Sequence, residues 1–106
     1  MALNLKLKPE TDLALDILRT LLLEKDEESK IYALRQVNAA SCNELINEIK
    51  ICAYDYRPLV RANAYLALRF SRNLESITEI IRDSLRDNNK DAYQAALLLF
   101  DKFKNC

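Results

Sequence analysis

Hydrophobic residues recur every three to four positions along most of the chain, which is the spacing of one face of an α-helix. Short polar stretches rich in Asp, Asn and Ser interrupt this pattern, and these residues are suited to capping helices. The pattern predicts six helices, which cover residues 10–25 and 27–40 and then begin near residues 41, 58, 74 and 90. Because the links between them are short, sequential helices are expected to be antiparallel neighbours. The prediction is therefore an all-α fold of about three stacked helical hairpins.

The same spacing predicts which side chains face the core. The predicted buried residues of the last three helices are Val60, Ala64, Ala67, Leu68, Ile77, Ile81, Ala96 and Phe100. The predicted inner face of the first helix is Leu13, Ile17, Leu18 and Leu21, with the small Ala14 beside Leu18. Ser41 and Glu44 have the spacing of a capping box, in which a hydroxyl and a carboxylate satisfy free N–H groups reciprocally. We therefore expect the third helix to begin at Ser41.

The first eight residues follow a different pattern. Leucine stands at positions 3, 5 and 7 and polar residues at 4, 6 and 8, and this period of two predicts an extended segment. We divide the chain into an extended N-terminal arm, residues 1–9, and one helical domain, residues 10–106. Three roles for the arm stay open: it lies across the first hairpin, it is disordered, or it adds a strand to another chain.

One unit of the sequence is repeated at a spacing of 32 residues, with Asp55 and Asp87 as equivalent positions. Matching residues stand at equal distances from these two: Leu45 and Ile77, Ile49 and Ile81, Val60 and Ala92, Ala64 and Ala96, Leu68 and Phe100. A looser repeat can be centred on Asp26, which lies 29 residues before Asp55. A fixed period of this length is typical of proteins built from stacked helical units.

Residues 55–68 read DYRPLVRANAYLAL, with Asp, then Val-Arg, then Ala three residues on, then Ala-Leu. This segment resembles the second-helix signature of HEAT repeats, and the short period resembles the HEAT-like repeats of phycobilin-lyase-type proteins. The resemblance extends from about residue 10 over most of the chain and is closest in the middle repeat. It implies an α-solenoid, an α–α superhelix, in which Asp and Arg residues form a ladder between repeats. Arg61 occupies the ladder position here, but Tyr32 and Tyr93 replace it in the other two repeats.

Two other helical architectures are alternatives to this one. A tetratricopeptide array has a period of 34 residues and a large aromatic residue with Gly nearby in its first helix, whereas this chain has no Trp and no Gly. A plain six-helix bundle would bury the same apolar stripes without any repeat symmetry.

Composition removes most catalytic designs. The chain has no His and therefore no Ser-His or Cys-His nucleophile pair, and no Gly for a phosphate-binding loop. Its three cysteines, Cys42, Cys52 and Cys106, lack the spacing of a zinc site, and an odd number of them is typical of a reducing compartment. No apolar run approaches the ~20 residues of a membrane span. We expect a cytoplasmic protein that is not an enzyme, holds no cofactor or metal, and does not enter membranes.

Charge points to one candidate binding surface, although the 16 basic and 16 acidic residues cancel overall. Residues 56–73 contain four Arg and no acidic residue. The predicted binding residues are Arg57, Arg61, Tyr65, Arg69 and Arg72, with Tyr32 and Tyr93 on neighbouring repeats. Arg and Tyr on one helix face suit an acidic protein or peptide, or a nucleic-acid backbone. The alternative is a solvated face on which Arg61 serves only the contact between repeats.

These features favour a protein-interaction module: an adaptor, a regulator or an assembly factor that recognises an acidic partner. The first alternative is a nucleic-acid-binding protein that uses the same basic face, and a weaker one is an accessory protein of the lyase-type HEAT-like family. Residues 10–28 contain seven acidic residues and only two basic ones. Head-to-tail self-association between this segment and the basic middle of the chain is also conceivable.

Overall fold

All regular structure in the computed structural model is helical within residues 12–105, the part of the chain that it describes. The helices are α1 Asp12–Leu23, α2 Glu27–Gln36, α3 Ala39–Cys42, α4 Ile46–Cys52, α5 Pro58–Leu68, α6 Leu74–Ser84 and α7 Lys90–Phe103. The prediction of an all-α chain is confirmed for these residues. The predicted arm at residues 1–9 lies outside the described part, as do residues 10, 11 and 106.

The third predicted helix is divided into α3 and α4, which makes seven helices in the described range instead of six. Asn38 caps α3: its side chain accepts from the N–H of Ser41 at 3.0 Å, and the Ser41 hydroxyl accepts from the N–H of Asn38 at 3.0 Å. The capping box expected at Ser41 and Glu44 is therefore wrong. Ser41 is instead the third residue after the N-cap Asn38, and its hydroxyl completes the capping box of α3.

Helices α2, α5, α6 and α7 begin at or next to the positions predicted for them. The side chains of Asp26, Asn73 and Asn89 accept from backbone N–H groups in the first turns of α2, α6 and α7. Pro58 is the first residue of α5, where a missing N–H costs nothing because that group has no partner within the helix. These local signals are enough to place the helix starts in the sequence.

The core is one contiguous cluster that reaches from α1 to α7. Val60, Ala64, Ala67, Leu68, Ile77, Ile81 and Ala96 are buried as predicted. Phe100 is 43% exposed and its neighbour Leu99 is fully buried, so the prediction for Phe100 is wrong. The match between Phe100 and Leu68 failed because the two residues differ in burial. Leu68 is fully buried on α5, which packs against α2, α4 and α7, whereas the principal contacts of α7 are with α5 and α6.

The inner face of α1 was predicted correctly only for Ala14 and Leu18. Leu13 and Ile17 are exposed, and the buried face is Ala14, Leu15, Leu18 and Leu22. Apolar residues lie almost all the way round this helix, so periodicity does not select a face. Packing against α2 and α4 makes the selection.

Helix α5 is at the centre of the helix contacts, since it packs against α2, α4 and α7. Further contacts join α1 to α2, α6 to α7, and α1 to α4. Arg19 on α1 supports the last of these: it donates to the backbone oxygen of Glu44 at 3.0 Å and lies 3.3 Å from the Glu48 carboxylate. The folded chain measures 43 × 30 × 18 Å.

Helices α2, α5 and α7 share a common layout, and together they form the α2–α5–α7 row, in which α5 contacts both of the others. Their N-caps are Asp26, Arg57 and Asn89. The seventh residue after each cap is an alanine with no exposed surface: Ala33, Ala64 and Ala96. Asp26 therefore aligns with Arg57 and Asn89 and not with Asp55 and Asp87, which corrects the register assumed for the first repeat.

Candidate functional site

The Asp87 carboxylate is the meeting point of several predicted site residues. Arg61 binds it through two parallel hydrogen bonds, Nε to Oδ2 at 2.8 Å and Nη2 to Oδ1 at 2.9 Å. The Tyr65 hydroxyl donates to Oδ2 at 2.7 Å, and the N–H of Asn89 donates to Oδ1 at 3.0 Å. The Arg61 guanidinium, with these other donors, lowers the pKa of Asp87 to about 2. Asp87 is thus held as a carboxylate and is fully supplied with hydrogen-bond donors.

Arg61 and Tyr65 are therefore internal contacts. The other terminal nitrogen of Arg61 donates to the backbone oxygens of Asp55 and Tyr56, at 3.0 and 3.1 Å. Tyr65 is only 4% exposed, so its ring cannot lie flat against a partner. Burial raises the pKa of the Tyr65 hydroxyl, and the hydrogen bond to Asp87 raises it further.

Arg57 is also held by hydrogen bonds within the fold. Its guanidinium pairs with Asp55 at 2.9 and 3.0 Å and also donates to the backbone oxygen of Lys25 at 2.7 Å. It also lies over the ring of Tyr56, 4.9 Å from the centroid. The hydrogen bonds from Arg57 lower the pKa of Asp55. Arg57 therefore fastens the loop before α5 to the loop before α2.

Lys30 is a structural residue that the sequence reasoning missed. It occupies the place in α2 that Arg61 occupies in α5, four residues after the cap, and its ammonium donates to the backbone oxygen of Leu22 at 2.6 Å. Its charge also contributes to lowering the pKa of Asp55, the residue equivalent to Asp87. The sequence contains the signal for this role. When α2, α5 and α7 are aligned on their N-caps, Lys30 stands at the same position as Arg61 and Tyr93. An alignment that matches Asp26 with Asp55 does not give this correspondence.

Arg69 of the predicted face lines a groove between the ends of α2 and α5, together with Arg35 of α2. This basic groove has a volume of about 340 Å³ and is lined by Leu34, Arg35, Val37, Asn63, Leu66, Ala67, Arg69 and Phe70. Arg35 Nε donates to Asn63 Oδ1 at 3.1 Å, and Arg69 Nε donates to the backbone oxygen of Leu66 at 3.1 Å. No acidic residue of the described range lines it. The terminal nitrogens of both guanidinium groups have no hydrogen-bond partner among residues 12–105.

Arg72, Tyr32 and Tyr93 do not line this groove. Arg72 is exposed in the loop between α5 and α6, two residues after Phe70, and it pairs with no carboxylate in the described range. Tyr32 is exposed on α2 and Tyr93 on α7. The predicted face is thus divided into an internal part, Arg57, Arg61 and Tyr65, and an outer part around Arg69 and Arg72.

No cluster in the described range has the features of a metal site. No three His, Cys, Asp or Glu side chains among residues 12–105 are arranged to hold a metal ion. Cys42 and Cys52 are buried free thiols on α3 and α4, and burial raises the pKa of Cys42 to about 11. A groove of about 560 Å³ between α4 and α6 is lined by one basic and one acidic residue, Lys50 and Glu79.

Comparison with protein-family models, with curated proteins and with solved structures finds no match to this chain. Among the helices of residues 12–105, none combines the length and the apolar character that crossing a membrane requires. The functional class of this protein therefore has to be inferred from its fold and from the surfaces described above.

Proposed function

We propose that this chain is a protein-interaction module, without catalytic activity, that binds an acidic protein or peptide through the basic groove. The architecture proposed for it is a HEAT-like stack of three hairpins: α1 with α2, α3–α4 with α5, and α6 with α7. The contacts between the members of each pair support this arrangement, as do those along the α2–α5–α7 row. The common layout of α2, α5 and α7 supports it further.

The observation that carries the proposal is a pair of uncompensated guanidinium groups in a concave surface. Arg35 and Arg69 each use Nε to bond to the protein, which orients the group and leaves the terminal N–H groups for a ligand. Arg binds a carboxylate or phosphate through two parallel hydrogen bonds, and it does so best when its geometry is already fixed. Phe70, which is partly exposed at the rim, adds apolar contact area.

The internal arginines differ from Arg35 and Arg69 in their charge partners, and this difference supports the proposal. Arg57 and Arg61 each have a carboxylate partner within 3.0 Å, so their charges are neutralised inside the fold. Arg35, Arg69 and Arg72 have no carboxylate partner in the described part of the chain. The positive charge that the sequence concentrates between residues 56 and 73 therefore remains at the groove and the loop that follows it, and a ligand of negative charge would be attracted there.

The test is binding of a library of acidic peptides, measured by fluorescence anisotropy at low salt. Wild type should bind members with adjacent carboxylates or a phosphate, and Arg35→Glu/Arg69→Glu should lose binding while keeping its melting temperature. Arg82→Glu is the matched control, because Arg82 is exposed on α6 and has no carboxylate partner in residues 12–105. Equal loss in the control, or no peptide bound by wild type, would refute the proposal.

A salt titration separates a peptide from a nucleic acid. Nucleic-acid binding weakens with a logarithmic slope of about one unit per phosphate neutralised. A peptide held by two or three Arg contacts should show a shallow slope. Tighter binding of oligonucleotides than of acidic peptides, with a steep slope, would favour the nucleic-acid function instead.

A further inference from the structure

The two arginines of the basic groove are anchored to residues that lie one helical turn apart on α5. Arg35 Nε donates to the side-chain oxygen of Asn63, and Arg69 Nε donates to the backbone oxygen of Leu66. Asn63 and Leu66 both line the groove and are three residues apart, which makes them neighbours on one helix face, about 5–6 Å apart at Cβ. Both guanidinium groups are therefore held at the same place on α5, although Arg35 belongs to α2.

Asn63 is a buried polar residue whose side chain orients Arg35. It is only 8% exposed, and its Nδ2 donates to the backbone oxygen of Leu59 at 2.8 Å. This bond fixes which way the amide faces, so that its oxygen is presented to Arg35. Both polar atoms of the amide are thereby used, and the terminal nitrogens of Arg35 keep their hydrogen-bonding capacity for a ligand.

Charge and size together indicate a compact dianion as the ligand. The groove has two cationic side chains, and its volume of about 340 Å³ is near the lower end of the range for ligand sites. A carboxylate has one negative charge and two oxygens, whereas a phosphate monoester carries about −1.5 to −2 at neutral pH and has three acceptor oxygens. One phosphate therefore has enough oxygens to bond to both guanidinium groups, whereas a bidentate carboxylate satisfies only one.

The ends of α2 and α5 at this groove are also compatible with an anion. Free carbonyl oxygens at the C-terminal end of a helix would repel negative charge. Here the carbonyl of Leu34 accepts from the N–H of Val37 at 3.3 Å, and that of Leu66 accepts from both the N–H and the Nε of Arg69. These donors reduce the partial negative charge of the two helix ends at the groove.

The apolar part of the lining distinguishes a peptide from a phosphate ion. Phe70 is 38% exposed and Leu66 is half-buried, and both lie on the same groove as the two arginines. An apolar side chain next to a phosphorylated residue would bury surface against them, whereas a phosphate ion would leave them in contact with water.

We propose, on the basis of the function proposed above, that the basic groove binds a phosphorylated peptide in which an apolar residue stands next to a phosphoserine or phosphothreonine. The phosphate accepts hydrogen bonds from Arg35 and Arg69, and the apolar residue packs against Phe70 and Leu66. Asn63 is a positioning residue, because it acts on the ligand only through Arg35.

The test compares short peptides with blocked ends that differ at one position, which is phosphoserine, glutamate or serine and is followed by leucine. Fluorescence anisotropy should show phosphoserine binding at least about tenfold more tightly than glutamate, and serine not binding. Equal affinity for phosphoserine and glutamate would overturn this inference and leave the proposed function standing. No binding of either would overturn both. Inorganic phosphate that competes as well as the phosphorylated peptide would show that the apolar contact is absent, against the proposal.

A lysine variant tests the guanidinium geometry at constant charge. Arg35→Lys/Arg69→Lys keeps both positive charges but loses the two parallel N–H donors of each group. Its affinity for the phosphoserine peptide should fall at least about tenfold, and its affinity for the glutamate peptide should change less. Arg82→Lys, on the exposed side of α6, is the control and should bind as wild type does. Unchanged phosphoserine affinity in the double variant would overturn the proposal.

Asn63→Asp tests the positioning role. The new carboxylate gives Arg35 an internal partner, as Asp87 does for Arg61, so the preference for phosphoserine over glutamate should fall. Asn47→Asp makes the same change of charge on the exposed side of α4 and should leave the preference unchanged. Circular dichroism checks that both variants are folded. An unchanged preference in Asn63→Asp, or an equal loss for both peptides, would overturn the role of Asn63.

Discussion

Asp87 accepts hydrogen bonds from α5 and from the start of α7, and this residue shows how the fold uses charge. It lies in the loop between α6 and α7, its side chain is only 4% exposed, and Arg61 supplies the opposite charge. A buried pair of this kind contributes little when both partners are present, since desolvation offsets most of the attraction. Removal of one partner is costly because the other charge is left in a poorly solvated site.

The first prediction concerns pH. The folded pKa of Asp87 is about 2, below the ordinary value of 3.8, so its ionised form stabilises the native state above about pH 4. That stabilisation is lost as the pH falls through the range from 3.8 to about 2. The difference in unfolding free energy between wild type and Asp87→Asn should therefore be constant near neutral pH and shrink below about pH 4. Denaturant titrations at a series of pH values measure it, and a difference that grows towards acid pH would contradict this.

The second prediction concerns Arg61. Arg61→Met removes the guanidinium and leaves the Asp87 carboxylate buried without its charge partner, which should cost about 3 kcal/mol or more in unfolding free energy. The double variant Arg61→Met/Asp87→Asn should cost less than the sum of the two single changes, because the unpaired charge is then absent. Arg82→Met, on the surface of α6, is the control and should change stability by at most about 0.5 kcal/mol. Additive single effects in urea denaturation would show that the two residues do not act as a pair.

At the scale of single helices, local signals and packing have separate roles. Caps and a first-turn proline decide where α2, α5, α6 and α7 begin, and they are readable in the sequence because they act within four residues. Packing decides which face turns inward. Helix α7 has apolar residues at four consecutive positions, 97–100, and only Leu99 among them is fully buried.

The third prediction compares neighbours on α7. Leu99→Ala should cost about 2–5 kcal/mol, because it leaves a cavity in the core. Phe100→Ala should cost clearly less, since 43% of Phe100 is already in contact with solvent. Denaturation in dilute solution, where self-association is absent, measures both. An equal or greater cost for Phe100→Ala would mean that Phe100 is buried in solution.

At the scale of the whole molecule, stability is concentrated at α5. This helix contacts α2, α4 and α7; seven of its eleven residues are buried, and Leu59 is the only exposed residue within it. Helices α1 and α6 have fewer neighbours and expose one whole side. Unfolding of α5 therefore requires the loss of contacts on both sides of it, whereas α1 and α6 can open locally.

The fourth prediction follows from this central position. Amide hydrogens in the middle of α5 should exchange slowest, with opening free energies equal to that of global unfolding, and those of α1 and α6 should exchange faster. Native-state hydrogen exchange followed by NMR measures the order. Slower exchange in α1 than in α5 would contradict it.

Much of this protein is determined by patterns that act over a few residues. The helical spacing, the capping side chains and Pro58 are local, and they were sufficient to predict an all-α chain and most of its core. The division of α3 from α4 was missed although its signal, Asn38 with Ser41, is local too, because a second box spacing at Ser41 and Glu44 competed with it. Local spacing alone does not decide between overlapping caps.

Only the tertiary structure decided which basic residues remain for a partner. In the sequence Arg57, Arg61, Arg69 and Arg72 are alike, but Arg61 meets Asp87 from 26 residues away, and Arg35 reaches the groove beside Arg69 from α2. The exposure of Phe100 was decided in the same way, since the principal contacts of α7 are with α5 and α6. Charge compensation and burial depend on groups that are distant along the chain, and helical periodicity contains no information about them.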